Sequence, residues 1–537
     1  MKRFLFLLAL VSLVALPFYF RPLQTQAGKT DDTLVIITPH NEAIRYEFSH
    51  GFQAWYRQKT GRSVAVDWRV IGGTSEITRY LDSAYLASFQ IYWTGKLGHP
   101  WSNEVQAAFA NARLATDAIP VAREARQAFL ASAVGCGIDV FFGGGTNDFN
   151  RQAEAGRIVD CGLLQLHPEW FDAKGIPQTY SGEPYWEKQG RWFGPVLSGH
   201  GMIYNVDSLA RLGVEQPPRE WSDLQDPRLQ GEVALCDPTK SGSISKGFEG
   251  LIQEQIYREW VRLAQETGKP RAELEKEAVS RGWEQGLRLI QRIGANARYF
   301  TDSSQKPPID VAAGDCAVGM CIDFYGRYQE QSANERGGRK RLGFASPPGG
   351  TVLSPDPIAL MRGAPHREVA VAFMEYTLSM DGQKLWNFKP GAPGGPKRYA
   401  LRRMPIRRDY YTEAGFIPFR TDPEDDPYGT AQPLVYNPAW TGGIFREMSF
   451  VIRIMCLDPH PELVAAWREI IKAGQPPAAL AMLGDLSAVS YEQMGSRIKP
   501  ALNSKEKVDE IRLANELVGH FRQQYMKAGQ MAEANRQ

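Results

Sequence analysis

Short apolar runs alternate with amphipathic stretches along most of the chain. The run TLVIIT at 33–38 indicates a buried strand, and behind it apolar residues recur at helical spacing from Ile44 to Trp55. The next run, VAVDWRV at 64–70, alternates apolar and polar positions as a strand does, and it leads into a Gly/Ser turn at 72–76. The order strand, helix, strand, turn, helix predicts the start of an open α/β sheet.

The same scheme continues towards the C-terminus. Further strands are predicted at 137–142, 196–205, 233–237, 317–323, 342–346 and 356–361. The stretch 366–378 predicts an amphipathic helix, whereas residues 388–428 are rich in Pro, Gly and Arg and are expected to be irregular. The last stretch predicts a helix that docks on the body through one face, made of Val508, Ile511, Leu517, Phe521 and Tyr525.

Several of these strands end in loops rich in Gly, Ser and Thr, and most of the candidate ligand-binding residues lie in such loops. Ligands of open α/β sheets bind at the carboxyl ends of strands, and a helix that begins there directs unpaired backbone N–H groups at an anion. The candidates are His40, Asn41, Glu42, Gly73, Thr74, Ser75, Gly145, Thr146, Ser198, Asp237, Thr239, Ser241, Gly242, Ser243, Asp323 and Tyr325. Each loop alone also fits a simple helix cap, but five such loops after five strands favour one shared cleft.

Other kinds of site find little support in the sequence. Neither Thr239–Ser243 nor Gly143–Gly145 matches a phosphate-binding P-loop or a dinucleotide-binding GxGxxG. The 62 Lys and Arg residues balance 60 Asp and Glu, which excludes the basic footprint of a nucleic-acid binder. No GxSxG or HExxH motif indicates a hydrolase, so no catalytic residue is assigned, and an exported enzyme is the less favoured alternative.

The N-terminus carries the pattern of an export signal, because Lys2 and Arg3 precede an apolar run at 4–16. Residues 1–27 are therefore predicted to be a signal peptide, cut near Ala27, or alternatively an uncleaved anchor. Both interpretations place the remaining chain in the periplasm or another extracytoplasmic space.

The cysteine content fits an oxidising compartment without deciding the pairing. Six cysteines suit disulfides there, and Cys316 with Cys321, or Cys136 with Cys161, are pairs that the sequence spacing brings together. Six free thiols, buried in the core, are the alternative.

A series of motifs in a fixed order resembles a known family. The motifs are TPHNEAIRYEFSHGFQAWYRQKTG, VIGGTSEI, IDVFFGGG, GHGMIYNVDSL, CDPTKSGSIS, AAGDCAVGMCIDFYGRY and ASPPGGTVLSPDPIAL. Together, from about Thr33 to about Asn387, they resemble the periplasmic substrate-binding proteins of ABC importers, in the branch that includes the ferric-ion-binding proteins.

The resemblance implies an α/β, two-lobed periplasmic-binding-protein (Venus flytrap) fold. Each lobe is then an α/β sandwich, and two hinge strands join the lobes. The expected boundaries are lobe 1 at 33–195 and 346–450, lobe 2 at 196–345, and a helical C-terminal extension at 451–537. In this arrangement the 239–243 loop of lobe 2 and the 73–75 loop of lobe 1 would grip one ligand from two sides.

The resemblance also bears on the identity of the ligand and its partner. It implies that His40 and Tyr325 occupy positions used as metal ligands in ferric-binding relatives, but Phe324 stands where those relatives carry a second tyrosine. Ferric iron prefers hard anionic oxygens, and this set is poor in them. The expected ligand is therefore small and polar or anionic, with ferric iron or a ferric complex retained as an alternative. The expected partner is the membrane permease of an ABC transporter; an anchored extracytoplasmic ligand sensor is the alternative role.

Overall fold

The computed structural model describes residues 30–429, 433–504 and 506–536 of the chain. The predicted signal peptide or anchor at 1–27 lies outside these residues. Within them, no helix combines the length and the apolar character that crossing a membrane requires. Two sheet-bearing lobes and a C-terminal layer of helices are present, so the predicted two-lobed α/β fold with a helical extension is confirmed.

The strands follow the predicted apolar runs closely. In chain order they are β1 (Asp32–Ile37), β2 (Val64–Arg69), β3 (Val140–Phe142), β4 (Ile158–Val159), β5 (Thr179–Tyr180), β6 (Glu183–Pro184), β7 (Val196–Ser198), β8 (His200–Asn205), β9 (Val233–Cys236), β10 (Ala297–Thr301), β11 (Val318–Ile322), β12 (Leu342–Ala345), β13 (Ser354–Pro355), β14 (Ile358–Met361) and β15 (Met404–Pro405). Each predicted strand contains an observed one, and the run at 196–205 is divided into two strands at Gly199.

The α-helices lie between the strands and then fill the C-terminal part of the chain. They are α1 (Glu42–Thr60), α2 (Thr74–Ile91), α3 (Asn103–Ala108), α4 (Pro120–Ala131), α5 (Thr146–Ala155), α6 (Leu163–Leu166), α7 (Val206–Arg211), α8 (Gly242–Thr267), α9 (Arg271–Asn296), α10 (Lys306–Ala313), α11 (Asp323–Gly337), α12 (Arg367–Leu378), α13 (Met380–Asn387), α14 (Arg408–Thr412), α15 (Pro438–Thr441), α16 (Phe445–Ile452), α17 (His460–Lys472), α18 (Pro477–Leu483), α19 (Tyr491–Gln493), α20 (Lys499–Leu502) and α21 (Lys507–Ala534).

Each lobe is built on a five-stranded mixed sheet. The first sheet has the order β2-β1-β3-β14-β4 and the second β10-β9-β11-β8-β12. In the first, β1 runs parallel to both of its neighbours. Its side chains alternate between two cores, because Leu34 and Ile36 join one hydrophobic cluster while Val35 and Ile37 join another. Helices cover both faces of such a sheet, which explains why the strand is apolar throughout.

Two short strands connect the lobes, and we call β7 and β13 the hinge strands. β7 leads from the first sheet to the second, β13 leads back, and the two pair antiparallel. The resemblance implies two strands here, but the structure has a third, because β15 pairs with the free edge of β7. The segment 388–428, expected to be irregular, supplies this strand.

The C-terminal helices form a layer on the second lobe. Trp283 Nε1 of α9 donates to the Val489 carbonyl at 3.0 Å, and Tyr525 OH of α21 donates to the Met455 carbonyl at 2.8 Å. The predicted docking face of α21 is partly wrong. Its later residues, such as Phe521, are buried, but Val508 and Ile511 are 52% and 58% exposed. The first turns of α21 therefore extend beyond the surface on which the helix packs.

All six cysteines are free thiols. Cys316 precedes β11 and Cys321 lies within it, and an extended strand rises about 3.3 Å per residue, which separates the two by more than a disulfide can span. The free-thiol interpretation therefore describes this fold.

Candidate functional site

A cavity of about 380 Å³ lies between the two sheets. The loops that follow β1, β2 and β3 line it from the first lobe, and those that follow β9, β10 and β11 line it from the second. The hinge strands form its floor through Ser198 and 354–356. The cavity thus sits at the carboxyl ends of strands, where open α/β sheets bind ligands.

Three helices begin at this cavity. Gly73, Gly145 and Ser241 are the N-caps of α2, α5 and α8, and all three line the cavity wall. Within the described residues, the first-turn N–H groups of Thr146 and Ser243 have no acceptor. Each helix N-terminus carries roughly half a positive charge. The cavity therefore concentrates positive potential and free N–H donors from both lobes.

The lobes meet directly beside the cavity. The Gly242 N–H donates to Thr74 Oγ1 at 3.2 Å, and Ser75 Oγ donates to the Thr239 carbonyl at 3.2 Å. Gly242 is required by this approach, because a Cβ there would lie 2.5 Å from the Asp148 carboxylate. The structure is therefore a closed arrangement of the two lobes.

A buried polar cluster lies under the cavity at the hinge. Asp356 Oδ2 accepts from Arg403 Nη1 at 2.7 Å and from His40 Nε2 at 3.0 Å, and Asp356 Oδ1 accepts from the Gly144 N–H at 2.5 Å. Arg403 also donates to Ser198 Oγ. Burial alone would raise the pKa of the Asp356 carboxyl, but Arg403 and His40 hold it well below its usual range. Burial lowers the pKa of His40, so this imidazole is neutral near pH 7.

His200 fixes the first turn of α8 from the second lobe. Its Nε2–H donates to the Ser243 carbonyl at 2.7 Å. Complete burial lowers the pKa of His200 to about 4, so the ring is neutral at physiological pH. A neutral imidazole adds no charge at the positive N-terminal end of α8, and its hydrogen bond holds the backbone of the first turn in place.

The two lysines of the cavity differ in their partners. Lys246 Nζ lies 2.5 Å from Glu183 Oε1, 2.9 Å from Glu249 Oε2 and 3.3 Å from the centre of the Tyr436 ring. Its charge is therefore neutralised inside the protein. Lys240 lines the cavity with no ion pair to any described residue. Lys240 is thus the lysine whose charge is available to a ligand.

Two buried acids lie next to the cavity. Burial raises the pKa of Asp148, and its Oδ2 has no hydrogen-bond donor among the described residues. Burial also raises the pKa of Asp323 to about 6, although its carboxylate accepts from the Gly199 N–H at 3.1 Å. Asp323 therefore stays largely ionised near pH 7, but its carboxylate is engaged by the Gly199 N–H behind the cavity wall.

The structure brings most of the sequence candidates together. Ten of the sixteen line the cavity: His40, Gly73, Thr74, Gly145, Thr146, Ser198, Ser241, Gly242, Ser243 and Tyr325. These roles stay predictions, since the positions alone do not test binding.

The remaining six candidates lie away from the cavity. Asn41 caps α1, and Glu42 beside it is exposed. Asp237 accepts from the Thr239 N–H at 2.7 Å and shapes the loop before α8. Ser75 and Thr239 form the contact between the lobes, and Asp323 lies behind the cavity wall. Four of these six therefore serve the local backbone or the closed contact.

Several cavity residues were missed from the sequence. Lys240 stands inside the loop singled out as the strongest candidate, so its charge was a readable signal. Asp356 follows the second hinge strand, and Asp148 lies one turn into α5. Arg403 gave no signal, since it lies in a segment without periodicity.

The donors present do not fit a directly bound ferric ion. His40 is engaged by Asp356, and the Arg403 guanidinium lies 3.4 Å from the same imidazole nitrogen. In the part of the chain that is described, no group of three or more His, Cys, Asp or Glu side chains could hold a metal ion. A fixed guanidinium beside the predicted ligand opposes a cation.

Comparison with known proteins finds relatives that match part of the chain. The chain is 28% identical over 250 residues to an uncharacterized protein of Haemophilus influenzae, covering 46% of this chain and 60% of that protein. It is 24% identical over 190 residues to the phosphoglycerate transport regulatory protein PgtC of Salmonella typhimurium, covering 35% of this chain and 39% of PgtC. The chain thus spans less than two thirds of the length of either relative.

A solved structure aligns over most of the chain. It is the periplasmic binding protein AfuA of Actinobacillus pleuropneumoniae with exogenous fructose-6-phosphate bound, at 15% identity, a TM-score of 0.46, and coverage of 82% of this chain and 99% of AfuA. The sequence model of the bacterial extracellular solute-binding proteins matches residues 138–406, just over half of the chain. The protein therefore belongs to the bacterial extracellular solute-binding family.

Proposed function

We propose that the protein captures a small organic anion, a phosphate or carboxylate on a short carbon skeleton, and delivers it to the permease of an ABC importer. The observation that carries this proposal is the meeting of three helix N-termini, from both lobes, at one cavity. Such termini bind anions through their N–H groups and their dipoles. The work would take place outside the cytoplasm, as in the family.

The charges around the cavity support an anion. Asp356 is paired with Arg403, and Lys246 is paired with two glutamates. Lys240 remains as the cation without an acidic partner among the described residues. An incoming anion thus meets helix termini and an ammonium group, together with the exposed Asp302 carboxylate at the cavity wall.

Closure couples binding to delivery. The termini of α2 and α5 belong to the first lobe and that of α8 to the second, so only the closed form contacts an anion from both sides. An anion that binds the closed form shifts the open–closed equilibrium towards it. A permease that recognises the closed outline then receives only loaded protein.

The relatives and the donor set favour an organic anion over a bare metal ion. PgtC is named for phosphoglycerate transport, which is consistent with a phosphate-bearing cargo. Ferric iron would enter this site only inside an anionic complex such as iron(III) citrate, since no three His, Cys, Asp or Glu side chains among the described residues are grouped to hold the bare ion.

Heat unfolding in the presence of candidate anions tests the proposal. The probes are inorganic phosphate, 3-phosphoglycerate, fructose 6-phosphate, citrate and iron(III) citrate. A ligand of the folded state raises the unfolding midpoint as its concentration exceeds Kd, and we expect at least one organic anion to do so. Ser243→Leu should abolish the rise, because a leucyl side chain fills the space at the first turn of α8.

The control is Ser280→Leu, which adds the same side chain to an exposed position of α9. It should bind anions as the unmodified protein does. The proposal fails if no anion raises the midpoint, or if Ser243→Leu leaves the rise intact.

A further inference from the structure

One residue on the C-terminal side of the family-matched segment lines the cavity. Phe445, the first residue of α16, contributes to the cavity wall, although it lies beyond the family-matched segment 138–406. Its ring is half-buried and makes no aromatic contact with another described residue. The ring packs against the main hydrophobic cluster and also borders the ligand space.

Phe445 separates the cavity from a second space. An open groove of about 740 Å³, which we call the flank groove, runs between the first lobe and the C-terminal helices. The cavity and the flank groove share four lining residues, which are Asn147, Asp148, Gly242 and Phe445. Phe445 therefore borders both spaces.

The position of the ring is fixed to the second lobe. Ser449 Oγ, one turn after Phe445, lies 2.5 Å from Ser245 Oγ in the first turns of α8. The segment before α16 is held as well, because Thr441 Oγ1 donates to Glu249 Oε1 at 2.5 Å. Lys499 Nζ of α20 donates to the Gly443 carbonyl at 2.7 Å. The ring therefore keeps its place relative to the anion-binding end of α8.

The wall has two chemical halves. Gly242 and Asp148 present backbone and carboxyl groups, whereas Phe445 presents an apolar ring. An anionic head bound at the helix termini would direct the rest of the molecule along the cavity. An organic part that reaches this wall meets the ring and stops there.

We propose that Phe445 is a specificity-determining residue that closes the ligand cavity towards the flank groove and sets the maximum length of the ligand's organic part. The ligand class is then a phosphate monoester with a short organic group whose far end is apolar. This inference rests on the proposed function, because it assumes that the anionic head binds at the helix termini.

Straight-chain alkyl phosphates measure the length limit directly. Titration calorimetry would give Kd for inorganic phosphate and for the methyl, butyl, hexyl and octyl esters. We expect the unmodified protein to bind short esters and to lose affinity beyond a certain chain length. Phe445→Ala should move this limit to longer chains, since the alkyl tail can then enter the flank groove, with a gain of about tenfold or more for the first ester that the unmodified protein rejects.

A bulkier ring should have the opposite effect. Phe445→Trp is expected to move the limit to shorter chains, and it keeps the test decisive if the alanine variant does not fold. Ile444→Ala is the matched control, because this neighbour lines neither space. It should leave the length limit unchanged.

The outcomes separate this inference from the proposed function. If inorganic phosphate or methyl phosphate binds but both Phe445 variants keep the original length limit, the inference is overturned and the anion site stands. If no phosphate binds to any variant, the inference fails, and the proposed function fails with it only if citrate and iron(III) citrate also leave the unfolding midpoint unchanged.

Discussion

At the scale of single residues, the site depends on keeping buried side chains neutral where a charge would disturb it. His200 is the clearest case. It is enclosed beside the first turn of α8 and donates to the Ser243 carbonyl. Protonation would put a positive charge on a buried ring, and burial resists this by lowering the pKa of the ring to about 4.

This neutrality makes folding sensitive to pH through His200. Its folded-state pKa lies below the unfolded value near 6.5, so the unfolded chain takes up the proton first as pH falls. The stability contribution is complete above pH 6.5 and is lost between about pH 6.5 and 4, to a total of about 3 kcal/mol. Between pH 7 and pH 4, we expect the unfolding free energy of the unmodified protein to fall by about 3 kcal/mol more than that of His200→Gln. Urea titration of both proteins without ligand measures this difference.

A control at another histidine keeps the comparison specific. His520 is exposed on α21, and His520→Gln should follow the pH dependence of the unmodified protein. Equal pH dependence in His200→Gln and the unmodified protein would contradict the assignment.

At the scale of elements, the hinge combines a strand that the sequence predicts with two that it does not. β7 lies in a predicted run and β13 directly precedes one, but β15 has only two residues and no periodicity. The residue before it, Arg403, has a fully buried side chain, pairs with Asp356 after β13 and donates to Ser198 at the end of β7. It therefore ties both hinge strands to the third strand.

Replacing Arg403 should destabilise the protein by leaving the buried Asp356 carboxylate without a cation. We expect Arg403→Met to lower the unfolding free energy by roughly 3–5 kcal/mol, because Asp356 is then left buried without its main partner. The double variant with Asp356→Asn should be less destabilised than the sum of the two single variants, and urea titration of all four proteins measures the difference.

An exposed pair provides the comparison. Arg339 lies 2.9 Å from Asp207 at the surface, and Arg339→Met should cost less than about 1 kcal/mol. Additive effects of the Arg403 and Asp356 substitutions would show that the two residues do not stabilise each other.

The elements also show how far sequence reasoning reaches. Strands such as β1, β9 and β11 and the loops after them were predictable, since an apolar run ending in Gly and Ser reports local geometry. The strands β4, β5, β6, β10, β13 and β15 were not predicted. The packing partner of α16 was not predictable, because the apolar face of a helix indicates that the helix packs but does not identify the surface on which it packs. Phe445, Arg403 and the exposure of Val508 all depend on partners that are distant in sequence.

At the scale of the whole molecule, the lobes close through small groups. Gly242 approaches Asp148 and Thr74 so closely that no larger residue fits between them. We expect Gly242→Val to prevent full closure, because its branched side chain would overlap the Asp148 carboxylate. Small-angle X-ray scattering with the organic anion that most raises the unfolding midpoint should show a radius of gyration that decreases in the unmodified protein and stays unchanged in the variant.

Gly519→Val is the matched control, since a Cβ at Gly519 meets no other atom within 4 Å. It should contract on binding as the unmodified protein does. Contraction of Gly242→Val to the same radius would show that closure does not require this glycine.

The C-terminal layer is fastened to the second lobe through contacts such as that of Trp283 with Val489. This arrangement affects the orientation in which the protein can dock. The two halves of the shut molecule differ in bulk and outline, so a receptor that straddles both of them meets an asymmetric surface. Such a receptor can bind the protein in one orientation only, because the C-terminal helices distinguish the second lobe from the first.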